Sequence, residues 1–127
     1  MVTTTHGFSG FSVNDTEAAR AFYADKLGLE AELTGMGILD IVLPGGAHVI
    51  AYPKENHLPA GFTILNLEVP DIAAAVAELA AVGIPMQRYP GMPQDELGVM
   101  RGKASGHGPD IAWFLDPSGN VLSIMET

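Results

Sequence analysis

The stretch "FLDPSGNVLSIME", residues 114–126, decides how the rest of the chain is read. Pro117 and Gly119 supply turn chemistry between two short strand-like runs. Beyond the turn the side chains alternate: Val121, Ser123 and Met125 share one face, Leu122 and Ile124 the other. One face must be core. The other carries a small hydroxyl, Ser123, at its centre, which raises the question of what that face encloses.

Upstream of this hairpin, "FTILNLEV" (62–69) reads as a strand, and "DIAAAVAELAAVG" (71–83) as a helix capped by Asp71 and stopped by Gly83. "IPMQRYP" (84–90) is expected to follow as another strand. The first half repeats the plan. "GFSGFSV" alternates like a strand, and "DTEAARAFYADKLG" (15–28) places Ala19, Phe22, Tyr23 and Lys26/Leu27 on one helical stripe before Gly28. Asn14 and Glu17 have capping-box spacing. "LEAELTG", "GILDIVLPGG" and "AHVIAYP" then read as three strands separated by glycines. With Asp15 set on Asp71 and Gly28 on Gly83, the halves match with one residue of slippage. The expected fold class is α+β: two tandem βαβββ modules, about residues 6–53 and 62–127, within one domain of residues 1–127. Phe22, Leu27, Val76 and Leu79 are expected in the core.

The copies differ in one place. "GMG" (35–37) joins two strands in the first, whereas "GMPQDELGVMRGKASGHG" (91–108) stands in the corresponding place in the second. Six of its 18 residues are glycine or proline, which suits a mobile flap over a pocket or a loop in solvent. "LGVMR" within it also reads as an extra edge strand.

Composition narrows the function. A chain of 127 residues with 47% hydrophobic and 17% charged residues is globular in character. No apolar run approaches the roughly 20 residues of a membrane span. "MVTTTHGFSG" lacks the basic and apolar regions of a signal peptide. Zero cysteines exclude disulfides, a thiol nucleophile and thiolate metal sites, and fit a cytoplasmic location. A net charge of −9 repels nucleic acid and anionic membranes, so neither is an expected partner. The same charge serves solubility and attracts cationic ligands.

"FSGFSVNDTEAARAFYADKLGLE" together with "FLDPSGNVLSIME" resembles the vicinal oxygen chelate superfamily of glyoxalases, extradiol dioxygenases, fosfomycin-modifying enzymes and bleomycin-resistance proteins. The resemblance covers nearly the whole chain. It implies that the two modules curl into a half-open barrel, or cup, and that the protein is a homodimer. In the superfamily's enzymes the cup holds a divalent metal on His and Glu side chains from the first and last strands of the modules. At those positions this chain has Phe8, Ile50 (with Tyr52 on the same face), Ile64 and Ser123. Hydrocarbon side chains cannot ligate a metal, and a neutral serine oxygen is a poor ligand. The resemblance therefore points to a metal-free branch with no cofactor. His6 and His48 share strand parity with Phe8 and Ile50, so an alternative site built on them with a carboxylate stays conceivable. His57 and His107 fall in loops. The chain has no HExxH, P-loop, GxGxxG or GxSxG motif.

Exchanging ligands for apolar groups makes the cup oily. Its interior is expected to include Phe8, Gly10, Ile50, Tyr52, Phe62, Ile64, Asn66, Val121, Ser123 and Met125, with Trp113 from the hairpin and Tyr89 and Met92 at the rim. Gly10 would leave room for a flat group, and Asn66 and Ser123 would direct hydrogen bonds. Such apolar concavities with few polar groups characterise small-molecule sites. Burying about 300 Å² of a flat aromatic ligand would contribute about 7 kcal/mol before association costs. The expected function is sequestration of a bulky, partly aromatic small molecule, such as an antibiotic or other natural product, without catalytic residues. Two alternatives stay open. One is a metal-independent lyase or isomerase using Asp95, Glu96 or Tyr52 as acid or base. The other is a structural or regulatory dimer module whose cup is filled by its own side chains.

Overall fold

The first half of the chain folds as β–α–β–β–β in the computed structural model, which describes all 127 residues. The second follows the same plan with one short helix added between its second and third strands. The first unit spans Met1–Pro59 and the second Ala60–Thr127. In the first, β1 (Ser9–Val13) leads to α1 (Thr16–Arg20), which continues as a π-helical segment (Ala21–Lys26). β2 (Glu30–Leu33), β3 (Leu39–Val42) and β4 (His48–Pro53) complete a four-stranded sheet of order β1-β4-β3-β2. The second unit comprises β5 (Thr63–Glu68), α2 (Ile72–Ala81), β6 (Met100–Arg101), α3 (Gly102–Ser105), β7 (Asp110–Leu115) and β8 (Val121–Glu126). Its sheet order, β5-β8-β7-β6, is the same plan. In both, the first and last strands pair in parallel and the rest are antiparallel. The fold is α+β with two mixed sheets.

The one-residue slippage between the copies has a local cause. Asp15 and Asp71 both cap their helices from extended backbone, with φ of −146° and −147°. Gly28 and Gly83 both close them at positive φ, 72° and 81°. The first interval is one residue longer, and the π-helical segment absorbs it: the Leu27 amide reaches back five residues to the Phe22 carbonyl at 2.9 Å. Asp15, not Asn14, is the cap, since its carboxylate accepts from the Glu17 and Ala18 amides.

Each sheet has one face packed on its helix. In the first unit Phe11, Val13, Leu39, Ile41, Val49 and Ala51 are buried with Ala19, Phe22 and Tyr23. The Phe11 and Tyr23 rings lie 5.7 Å apart. In the second unit Leu65, Ala112, Phe114, Leu122 and Ile124 are buried, as are Ile72 and Leu79 of α2. Truncating such a leucine to alanine costs about 2–5 kcal/mol. Leu27 and Val76, expected in the core, are only half-buried because they sit at the margins of their helical stripes.

Residues 84–90 form no strand, contrary to the expectation from "IPMQRYP". Pro85 and Pro90 bring no amide hydrogen to a ladder. The segment keeps one bond to the sheet, from the Gln87 amide to the Trp113 carbonyl at 2.7 Å. A side chain replaces the ladder. The Gln94 amide donates to the Gln87 and Gly98 carbonyls and accepts from the Tyr89 amide. The edge position falls instead to β6, within the "LGVMR" stretch.

Candidate functional site

The face of the second sheet turned away from α2 is set by cross-strand register. Ser123 lies opposite Asn66 on β5 and opposite Trp113 on β7, so all three point to one side. Val121 and Met125 share that side by alternation. This register settles the facing of Trp113. A bulge between Thr63 and Leu65 then changes the parity of β5, pairing Thr63 with Val121 and leaving Ile64 as the unmatched residue. Thr63 thereby reaches Trp113, whose indole Nε1–H donates to Thr63 Oγ1 at 3.1 Å.

Tyr89 stands against Trp113 edge to face, with ring centroids 5.7 Å apart and planes at 81°. Its position is held by the Gln94 side chain on its amide and by the Met92 amide on its carbonyl. Phe62, Thr63, Tyr89, Met92, Trp113 and Val121 line an open cleft of about 340 Å³. The structure thus brings together Phe62, Tyr89, Met92, Trp113 and Val121 of the expected set. Thr63 was missed, because nothing in "GFTILNLEV" marks the bulge.

The other expected residues lie elsewhere. Ser123 is fully buried, and its hydroxyl donates to Asn66 Oδ1 at 2.6 Å. Met125 and Ile64 are half-buried. In the first unit, Gly10 pairs with Ile50 and Ser12 with Tyr52 on the face away from the helix. The room expected over Gly10 is taken by Ile50: a Cβ there would lie 3.0 Å from Ile50 Cγ1. Phe8, just before β1, is 63% exposed, and Tyr52 is 38% exposed. The Gly10–Ile50 and Asn66–Ser123 pairs hold the same register position in their respective sheets, which makes Ile50 the repeat counterpart of Ser123.

The long segment after Met92 is tied down by side chains. Arg88 donates to the Asp95 and Glu96 carbonyls at 2.5 and 2.6 Å. Asp95 accepts from the Leu97 and Val99 amides and from Arg101, all at 2.9 Å, and Arg101 also reaches Asp110 at 3.2 Å. Burial pushes the Asp95 carboxyl up, but these hydrogen bonds and the Arg101 charge outweigh it and hold the pKa below the ordinary value. Hydrogen bonding to Asp95 in turn raises Arg101. A second cleft, about 500 Å³, lies along this network beside Gln94, Met100, Ser105 and His107.

The four positions expected to carry metal ligands offer none. Phe8 and Ile64 are hydrocarbon, Ile50 lies over Gly10, and the Ser123 hydroxyl is spent on Asn66. The histidines do not rebuild a site. His48 Nδ1 lies 3.0 Å from Asp40, and His57 Nδ1 lies 2.6 Å from Ser12 Oγ, a part-buried contact that the sequence did not signal. No three His, Asp or Glu side chains converge to hold an ion. The residues present do not fit the superfamily's divalent metal.

Fold and site define a two-module α+β protein with an aromatic cleft on one sheet. The model of the Glyoxalase/Bleomycin resistance protein/Dioxygenase superfamily matches residues 6–124, and the chain belongs to that superfamily. Similar solved structures include a Glyoxalase/bleomycin resistance protein/dioxygenase superfamily member from Sphaerobacter thermophilus DSM 20745. It is 23% identical with a TM-score of 0.65, over 97% of this chain and 98% of that one. TnmS3, an antibiotic binding protein from Streptomyces sp. CB03234, is 20% identical with a TM-score of 0.64, over 98% of each chain. The fosfomycin resistance protein FosX from Listeria monocytogenes is 10% identical with a TM-score of 0.71, over 99% of this chain and 95% of that one. These identities speak to a shared fold. No curated protein matches the sequence. No helix is long and apolar enough to cross a membrane.

Proposed function

We propose that the protein is a metal-independent binder that sequesters a bulky, partly aromatic small molecule. The observation that carries this reading is the cleft walled by Phe62, Tyr89 and Trp113, with Met92 beside them. Aromatic rings and a flexible thioether give a large apolar contact at low ordering cost, and Thr63 and the Tyr89 hydroxyl add a few polar points. Binding of this kind holds a ligand without preferring a transition state, so the molecule is neutralised by retention rather than change. The antibiotic binding protein among the similar structures has the same fold without being close in sequence, which supports the choice of antibiotics as the first ligands to try. On this reading Asn66 and Met125, on the same face of the second sheet, extend the binding surface, and the protein works in the cytoplasm as a homodimer.

A thermal-shift screen of aromatic antibiotics, followed by mass analysis of the recovered ligand, tests the proposal. Stabilisation with unchanged ligand mass is expected. A new product, or activity that requires one equivalent of a divalent metal, overturns it.

A further inference from the structure

We infer that the corner between Tyr89 and Trp113 receives an organic cation, so that the sequestered ligand carries a quaternary or protonated amine next to its apolar part. This rests on the binding role proposed above and narrows it to a ligand class. The first ground is geometric. Two rings that meet edge to face, with planes at 81°, form a corner rather than a parallel slot, and Phe62 lies in the lining of the same cleft. A flat aromatic guest fits best between parallel faces. A compact, rounded group such as an alkylammonium fits a corner, where the ring face left uncovered by the edge contact presents the negative side of its quadrupole.

The second ground is chemical. The Trp113 N–H is already donated to Thr63, so the indole offers a ligand its face and not its donor. No Lys, Arg or His lines the cleft to repel a cation. The third ground is the field of the molecule. Fifteen acids face six bases, and three of those bases, Arg20, Arg101 and Lys103, are held in ion pairs. The negative potential that remains concentrates cations around the protein. Shape, donor economy and charge therefore agree on one class of guest.

Trp113 is the only tryptophan and sits in the cleft, so its emission reports on binding there. The test titrates phenyltrimethylammonium and its uncharged carbon isostere, tert-butylbenzene, against that emission. The cation is expected to bind about tenfold tighter or better, and its affinity alone is expected to fall with added salt. Tyr89→Leu should abolish the preference while tert-butylbenzene still binds, and Tyr89→Phe should keep it. Equal affinity for the two, or an unchanged preference in Tyr89→Leu, overturns the cation assignment and leaves the apolar binding role standing. If neither compound binds, both the assignment and the binding role fail.

Discussion

Ser123 and Asn66 face each other across the parallel pair β5–β8, the serine hydroxyl donating to the amide oxygen at 2.6 Å. A metal-binding carboxylate was expected at this place in the superfamily's enzymes, and here the position is fully buried and already satisfied. Ser123→Ala should cost only about 1 kcal/mol, because exposed Asn66 recovers its bond from water. Ser123→Glu should cost more than about 3 kcal/mol, since a carboxylate would enter a site with no charge partner. It should take up no zinc, because no cluster of His, Asp or Glu side chains stands ready to supply the further ligands. Urea unfolding and elemental analysis of the variant decide both points. One equivalent of bound zinc would show that the metal site lacks a single residue, contrary to the metal-independent reading.

The Trp113–Thr63 bond makes a separate prediction. Thr63→Val keeps the shape of the side chain and removes the acceptor for the indole N–H. The loss should be about 1 kcal/mol, because half-buried Trp113 can turn its N–H to water. Emission should shift to the red as the ring becomes solvated, and affinity for aromatic ligands should fall as the cleft loses a fixed wall. Unchanged emission would mean that packing against Tyr89 alone sets the indole.

How much of this was visible beforehand follows from which forces are local. The helices were legible because Asp15, Gly28, Asp71 and Gly83 act within a turn of themselves. The hairpin was legible because alternation from Val121 to Met125 propagates once the turn is placed. Residues 84–90 were misread because their apolar pattern suits a strand, while the bond that replaces a ladder comes from the side chain of Gln94, four or more residues away. Thr63 was missed because a bulge depends on how β5 meets β8 and leaves no mark on either strand. The contact between Ser12 and His57, 45 residues apart, is of the same kind. Of the residues lining the cleft, Phe62, Tyr89, Met92, Trp113 and Val121 were expected by residue type and approximate place, and the corner geometry came only from packing.

Acid should destabilise the second unit through two carboxylates. Asp95 lies below the ordinary range for the reasons given above. Glu126 is lowered by its hydrogen bonds with Lys103 and with the Ile72 amide, which closes the start of α2. A folded-state pKa below the unfolded value means that the unfolded chain binds more protons in the interval between them. The stabilisation is therefore complete above the ordinary carboxylate range of about pH 4 and is lost as pH falls through the lowered values. Asp95→Asn should be less stable at pH 7 and show a shallower acid slope. Its amide oxygen can still accept from Leu97 and Val99, but its uncharged NH2 then turns a donor toward the Arg101 guanidinium. Thermal melts between pH 2 and 7 measure the slope, and an unchanged acid limb would mean that this network contributes nothing to folding.

The hairpin turn offers the sharpest test of why "DPSGN" is spelled as it is. Buried Asp116 accepts from the Ser118 and Asn120 amides through one oxygen, both at 2.9 Å, and from the Asn120 side chain through the other at 3.0 Å. Gly119 beside it stands at φ 80°, a conformation that costs a side-chain-bearing residue about 1 kcal/mol or more. Asp116→Ala removes the acceptor that the two amides and the Asn120 side chain share in a buried turn, so a loss of about 2–4 kcal/mol is expected. Asp116→Asn keeps an acceptor for the amides and should recover roughly half of that loss. Because β7 carries Trp113 and β8 carries Val121, the alanine variant should also loosen the aromatic cleft and weaken ligand binding at temperatures where the fold persists. Full-strength binding in a destabilised Asp116→Ala protein would separate the cleft from the hairpin and place its rigidity in the Gln94 staple instead.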